Sequence, residues 1–350
     1  MHPPSVPTLP SRRSGAPLRI VSLGGGHGLA SLLKGLKKYT QRGGGEAAIE
    51  ITAIVTVSDD GGSSGRLRRD LDMLPPGDIR NCLVALAEDE ALLTKLFDYR
   101  FSAGKGLKGH SFGNLFLAVL AQLTGDFPRA VQLGSEVLAV SGRIYPSTGA
   151  HVHLRATMDD GRIVEGESKI SKSSIAIHRV ELLPTGAKPL PEALEAIRQA
   201  DLITLGPGSL YTSVIPNLLV RGMARAIQES PALKACFMNL MWQPGETTGL
   251  TAADHIAAIE RHAGRHLVEV AVINTAPIPE RRLRTYAREQ ARPVECDLAR
   301  LMTQGVQVLA RPLLASGDKV RHDPELTAAV ALDLARRGRR RAVRVRALTA

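Results

Sequence analysis

The chain has 350 residues, a formal net charge of +11 and only 3% aromatic residues, a length that allows one large α/β core or two medium ones. Nine of those eleven charges sit at the ends, in Arg12, Arg13, Arg336, Arg337, Arg339, Arg340, Arg341, Arg344 and Arg346, and no acid neutralises them there. A near-neutral body poor in aromatic rings argues against a nucleic-acid platform and leaves nucleic acid only non-specific contacts with the tail.

Residues 1–16 carry Pro, Ser and two Arg without the apolar stretch of a signal peptide, and read as a disordered leader. Leu18-Arg19-Ile20-Val21-Ser22-Leu23 is a short apolar strand that runs into Gly24-Gly25-Gly26-His27-Gly28. Leu29, Leu32, Leu33 and Leu36 then repeat at helical spacing. This is the strand–turn–helix start of a nucleotide-binding α/β domain, although Leu29 stands where the dinucleotide fingerprint has its last glycine. The next apolar run, Ile51 to Val57, reads as a buried parallel strand and ends in Ser58-Asp59-Asp60-Gly61-Gly62-Ser63-Ser64-Gly65-Arg66-Leu67-Arg68. Glycines let backbone approach a phosphate, serine hydroxyls and free N–H groups donate to it, and arginine forks match its oxygens. The alternative for such a cluster is a solvated loop entering a helix.

Pro75-Pro76-Gly77-Asp78-Ile79-Arg80-Asn81 punctuates, and leucines from Leu83 to Leu96 mark successive helices. His110, Ser111 and Asn114 precede the apolar segment Leu115 to Leu123, where a helix cap and an anion site are equally good readings. Asp126 reads as the cap of the following helix. From Arg143 to Leu183 the pattern turns to period two, with a hairpin turn at Asp159-Asp160-Gly161, and predicts a small antiparallel β insertion. His151 and His153 share one face there, but no third metal ligand has recognisable spacing.

A third glycine turn, Gly206-Pro207-Gly208-Ser209, follows the apolar run Asp201 to Leu205. Further strands are expected near Cys236–Leu240, Val268–Ile273 and Val306–Ala310, and a last helix over about Glu325–Arg337. Ahead of it, Arg321 can reach the sheet edge and Asp323 caps the helix. The fold class is α/β: a Rossmann-like, mostly parallel sheet with helices on both faces. One nucleotide-binding domain is expected over 17–335 and a basic tail over 336–350. Cys82, Cys236 and Cys296 are widely spaced and odd in number, as free thiols in a reducing compartment are. No apolar run reaches the roughly 18 residues that span a bilayer. The expectation is therefore a cytoplasmic protein without a membrane span; homo-oligomerisation is left open.

In chain order, Gly-Gly-Gly-x-Gly-Leu, Asp-Asp-Gly-Gly-Ser-Ser-Gly-Arg-Leu-Arg, Gly-Asp-Ile-Arg-Asn, Gly-His-Ser-x-Gly-Asn, Leu-Gly-Pro-Gly-Ser-Leu-Tyr-Thr-Ser and Gln-Pro-Gly-Glu-Thr are all present. Over residues 17–325 the chain thereby resembles the gluconeogenesis-factor family (YvcK-like), a branch of the 2-phospho-L-lactate transferase (CofD-like) superfamily. The resemblance implies binding of UDP-sugars such as UDP-N-acetylglucosamine, and a role in cell shape and cell-wall supply during gluconeogenic growth. The transferase branch implies instead a Mg²⁺-dependent transfer of phospholactate from a guanosine diphosphate carrier to a deazaflavin alcohol. Three positions depart from the family pattern: His27 in the first turn, Trp242, and Thr248.

The reading that follows is a nucleotide-sugar-binding regulator that requires no cofactor. Gly24–Gly28 and Gly206–Ser209 would hold the diphosphate, Arg66 or Arg68 and Arg321 would supply charge, and Asp59 would accept from ribose. Under the transferase alternative Asp59 and Asp60 become the catalytic, Mg²⁺-binding pair, because two carboxylates beside a diphosphate need a cation between them. A NAD-dependent oxidoreductase is the third alternative and lacks the fingerprint.

Overall fold

The computed structural model describes residues 16–40, 49–88 and 90–349. Apart from Ala16, the expected leader lies outside them. Runs of branched apolar residues ending in glycine or serine turns form the strands β1 (Leu18–Gly24), β2 (Ile49–Val55), β3 (Arg143–Pro146), β4 (His153–Met158), β5 (Ile163–Glu165), β6 (Ile177–Leu183), β7 (Leu202–Leu205), β8 (Leu233–Phe237), β9 (Val270–Asn274) and β10 (Gln307–Arg311). Seven of them make one sheet in the order β10-β9-β8-β7-β1-β2-β3. Every neighbouring pair in it is parallel. Its inner strands are buried on both faces, as helix-covered parallel strands must be, and in β1 and β2 only Arg19 and Glu50 are partly exposed. The α/β class and the parallel sheet are as the sequence predicts.

The remaining three strands form an antiparallel sheet, β5-β4-β6. The expected hairpin turn closes it, with Gly161 at φ +82° and Gly161 N–H donating to the Met158 carbonyl at 2.9 Å. The insertion starts later than the pattern suggests. Arg143–Pro146 pairs parallel with β2, Thr52 opposite Arg143 through Val55 opposite Pro146. It is the edge strand of the main sheet, half covered, and an edge strand alternates like an antiparallel one. Both expected caps are present: Asp126 accepts from Arg129 N–H at 3.1 Å, and Asp323 accepts from Glu325 and Leu326 N–H at 2.9 Å each.

The C-terminal boundary also differs. One helix, Pro324–Thr349, runs straight through the point where the basic tail was expected to begin. It packs on the Gly26–Lys37 helix and on β1, β7 and β8. Two of the arginines expected in the tail, Arg339 and Arg341, are docked onto the body. Arg339 donates to Asp201 at 2.7 Å and to the carbonyls of Ala16 and Pro17. Arg341 pairs with Glu269 and Arg337 with Asp333. The Asp201 side chain is wholly buried and also accepts from Arg19 N–H at 2.8 Å. Gly338 permits the approach, since a Cβ there would lie 2.0 Å from the Asp201 carbonyl oxygen. The helix is latched to the amino ends of β1 and β7, so truncation after Ala335 would remove part of the folded body.

Removing Arg339 takes a guanidinium from a buried carboxylate, and breaking such a pair costs up to about 3–5 kcal/mol. Denaturant unfolding of Arg339→Ala should show a loss of that order, and Asp201→Asn in the same chain should recover part of it. A loss below about 0.5 kcal/mol, the size of an ordinary surface change, would mean that the latch carries no stability.

Candidate functional site

From β1 the chain moves outward to β2 and β3, then returns to β7 on the other side of β1 and continues to β8, β9 and β10. The strand order therefore reverses between β1 and β7, and a crevice opens beyond their carboxyl ends at such a point. Both strands end there in glycine turns, Gly24–Gly28 and Gly206–Ser209. A cavity of about 380 Å³ lies between them, lined by Gly25 to Gly28 on one side and Pro207 to Ser209 on the other, with Arg321 and Trp242 on its walls. That volume suits a small organic ligand.

The turns touch each other directly. A Cβ on Gly28 would lie 2.5 Å from the Pro207 carbonyl oxygen, so no other residue fits there without parting the strand ends. Gly26, at φ +61°, opens the Gly26–Lys37 helix. The helix has no cap from its own N-cap residue and no acid in its first turn; Asp78 accepts from Gly26 N–H, and the N–H groups that follow are the ones a ligand can take. On the other turn, Gln243 donates to Ser209 Oγ at 2.7 Å, and Asn239 holds Gln243 at 3.1 Å. Asn217 ties the two together by donating to the Gly24 and Ser213 carbonyls. Burial, then the Arg321 and Arg80 charges, lowers the pKa of His27, which keeps its ring neutral in this cationic corner.

The Asp59 loop stands elsewhere. None of residues 58–64 lines the cavity, and several of their polar groups are bonded to one another, to the insertion or to the neighbouring helix start. Ser58 bonds Thr56 at 3.0 Å, and Asp59 accepts from Gly61 N–H at 2.8 Å. Asp60 accepts from both the N–H and the Oγ of Ser168, at 2.9 and 2.6 Å. Ser63 bonds His110 Nδ1 at 2.9 Å, and Asn114 lies within reach of Ser64. Ser111 is the helix cap, accepting from Asn114 N–H and from Arg80 at 2.8 Å. Arg68 donates to the Val152 carbonyl and faces Asp60 and Asp59; Arg66 donates to the Lys108 carbonyl. Each of these arginines gives one bond to a carbonyl of the protein, and Arg68 Nη1 is buried without a partner. Gly24 and Gly206 support the turns from behind, and Gly62 opens the helix Gly62–Leu71.

The loop meets the cavity's back wall through Asp78. A Cβ on Gly25 would lie 2.4 Å from Asp78 Oδ2, and one on Gly77 would lie 3.1 Å from Asp59 Oδ2. Burial, then the Asp59 charge, pushes Asp78 up to about 7, while the Gly26 N–H that it accepts pulls the other way. Burial with the Asp59 and Glu246 charges raises Glu167 to about 7. Burial also raises Asp59 and Glu246. Glu246 joins the second turn to the insertion, accepting from Tyr211 N–H, Thr212 Oγ1 and Ser171 Oγ.

This arrangement does not fit a Mg²⁺ ion shared by Asp59 and Asp60. The two side chains turn to different partners, one to its own loop and one to Ser168. Among the described residues no group of three or more His, Cys, Asp or Glu is arranged to hold a metal ion. His151 does not share a strand with His153: it precedes β4 and faces Asp72 at 3.3 Å. Asp78, Arg80, Gln243 and Asn239 carry the site without having stood out as functional in the sequence. The pattern Gly77-Asp78-Ile79-Arg80-Asn81 was the available signal, and it read as punctuation between elements and as one of the ordered motifs.

The family described as 2-phospho-L-lactate transferase CofD matches residues 20–314. The chain belongs to that family. It is 46% identical over 317 residues to the gluconeogenesis factor of Bacillus subtilis, covering 90% of this chain and 98% of that one. The gluconeogenesis factor of Halalkalibacterium halodurans is 49% identical over 305 residues, covering 87% and 92%. The crystal structure of protein BH3568 from Bacillus halodurans superposes with a TM-score of 0.86 at 47% identity, over 90% of this chain and 99% of that one. A second crystal structure, described as that of a member of the UPF0052 family, gives the same TM-score.

The buried carboxyl beside the family's glycine turn has a consequence for stability. An acid with a raised folded pKa stabilises fully below its unfolded pKa, and that contribution is lost as pH rises through the folded value. For Asp78 the window runs from 3.8 to about 7. Glu167 acts in the same direction, while His262 and His322, lowered to about 4 by burial, act in the opposite one. The difference from Asp78→Asn isolates the first group. The stability of the unaltered chain relative to that variant should fall by a few kcal/mol between pH 4 and 7.5, at up to roughly 1.4 kcal/mol per pH unit. A difference that does not change with pH would show that Asp78 stays ionised.

Proposed function

We propose that this chain is a gluconeogenesis factor that binds a UDP-sugar, with UDP-N-acetylglucosamine the leading candidate, and acts as a regulator in the cytoplasm. In that role it would adjust cell-wall supply and cell shape during gluconeogenic growth. The observation that carries the reading is the cavity between two touching glycine turns at the strand-order reversal, with a helix start on one wall and Arg321 on another. Backbone N–H groups and one guanidinium suit a diphosphate without a metal. The relatives' names support the gluconeogenesis part alone. Among the described residues no helix is long and apolar enough to cross a membrane, which is consistent with the location.

A second reading, phospholactate transfer, has the family's description in its favour. It needs Asp59 and Asp60 to turn from their present partners toward the cavity and a cation. Under the proposed reading they stay where they are and brace the insertion against the body.

Calorimetric titration separates the two. UDP-N-acetylglucosamine should bind with a dissociation constant near micromolar, about −8.2 kcal/mol. The affinity should not change when EDTA replaces Mg²⁺. Arg321→Ala should weaken binding by at least about tenfold, or roughly 1.4 kcal/mol. No product should form from a phospholactyl guanosine diphosphate donor and a deazaflavin alcohol. Mg²⁺-dependent product would overturn the regulator.

A further inference from the structure

Trp242 is the only tryptophan in the chain, and it stands on the wall of the cavity. It is held at two points: its backbone N–H donates to the Arg292 carbonyl at 2.7 Å, and its indole Nε1–H donates to the Leu250 carbonyl at 3.0 Å. With its one polar side-chain atom committed, the ring of this cavity-lining residue has only apolar and π surface left to offer a ligand. It is only half-buried. A ring placed there to fill a core would be covered.

The wall around it is a small core of its own. Leu240, Met241, Ala291 and Val320 form a hydrophobic cluster separate from the main one, with Tyr286 packed against it. Tyr286 also accepts from Val320 N–H at 3.1 Å, which ties segments following β9 and β10 together. Leu240, Met241 and Val320 line the cavity beside Trp242. The next residue, Gln243, holds Ser209 of the second glycine turn at 2.7 Å. A fixed aromatic face in an apolar wall therefore begins one residue from a group that holds the phosphate turn.

We propose that Trp242 is the stacking face for the nucleobase of the bound nucleotide sugar; this rests on the reading given above. Polar side chains of the cavity such as Asn239, Gln243, Arg321 and His322 suit phosphate and sugar oxygens, whereas Leu240, Met241 and Val320 offer a pyranose's hydroxyls no partner. A base is planar and has a π face. Stacking one base on an aromatic side chain is worth on the order of five- to a hundredfold in affinity. It tolerates any base, so Trp242 contributes affinity for the nucleoside and little choice between bases.

The experiment uses the full chain with UDP and with UDP-N-acetylglucosamine, read by calorimetry and by tryptophan emission. Both ligands should change the emission. Trp242→Ala should weaken both by the same factor, at least about fivefold, and Trp242→Phe should restore most of the loss. The Phe variant and the emission of the unaltered chain carry the test if the Ala variant does not fold. Loss of affinity for the sugar nucleotide alone would assign the face to the sugar and overturn the inference. Saturable calorimetric binding with unmoved emission and an unaffected Ala variant would overturn it while leaving the UDP-sugar reading intact. Absence of any calorimetric binding to the unaltered chain would overturn both.

Discussion

The cleft depends on one contact, the glycine turn after β1 lying directly against the backbone of the turn after β7. Gly28 has no side chain to keep it from the Pro207 carbonyl, and that is what allows two strand ends to present their backbones to one space. The contact exists only because β1 and β7 are neighbours in the sheet although far apart in the chain. The reversal of strand order makes them neighbours and also sends the chain away on either side, which leaves the crevice open. Topology and glycine content are therefore two halves of one device.

Around that contact the charges are sorted. The cavity side carries helix N–H groups, a neutral His27 and the Arg321 guanidinium. The carboxylates of the Asp59 loop lie behind the first turn and are bonded inward, with Asp60 gripping the insertion through Ser168. A diphosphate entering the cavity would meet donors first, while the acids brace the turn that holds the donors. Asp78 sits at the border. It accepts from Gly26 N–H and is buried enough to be about half protonated near pH 7, which lessens the repulsive charge on the nearest wall.

Much of the sheet was legible in the sequence, because a buried parallel strand is an apolar run and its carboxyl end is marked by glycine and serine. The glycine turns at 24–28 and 206–209 could be named for the same reason. What could not be read were partners remote in sequence. A strand such as Arg143–Pro146 alternates whether it pairs parallel at an edge or antiparallel in a hairpin. Arg339 and Arg341 read as tail residues until Asp201 and Glu269 are folded beneath them. The Asp59 loop has the composition of a phosphate cradle, yet its donors and acceptors find partners such as Ser168 and His110. Trp242 stood out in the sequence only as a departure; the half-exposed ring on the cavity wall was visible only once the satellite cluster had formed.

The central claim is that the ligand's diphosphate lies between the β1 and β7 turns. A crystal structure of the chain with UDP-N-acetylglucosamine tests it most directly. The account predicts phosphate oxygens within hydrogen-bond distance of backbone N–H groups from both the Gly25–Gly28 and Gly208–Ser209 turns, with Arg321 alongside. A diphosphate bound instead by the Asp59–Ser64 loop, through a metal ion on Asp59 and Asp60, would contradict it.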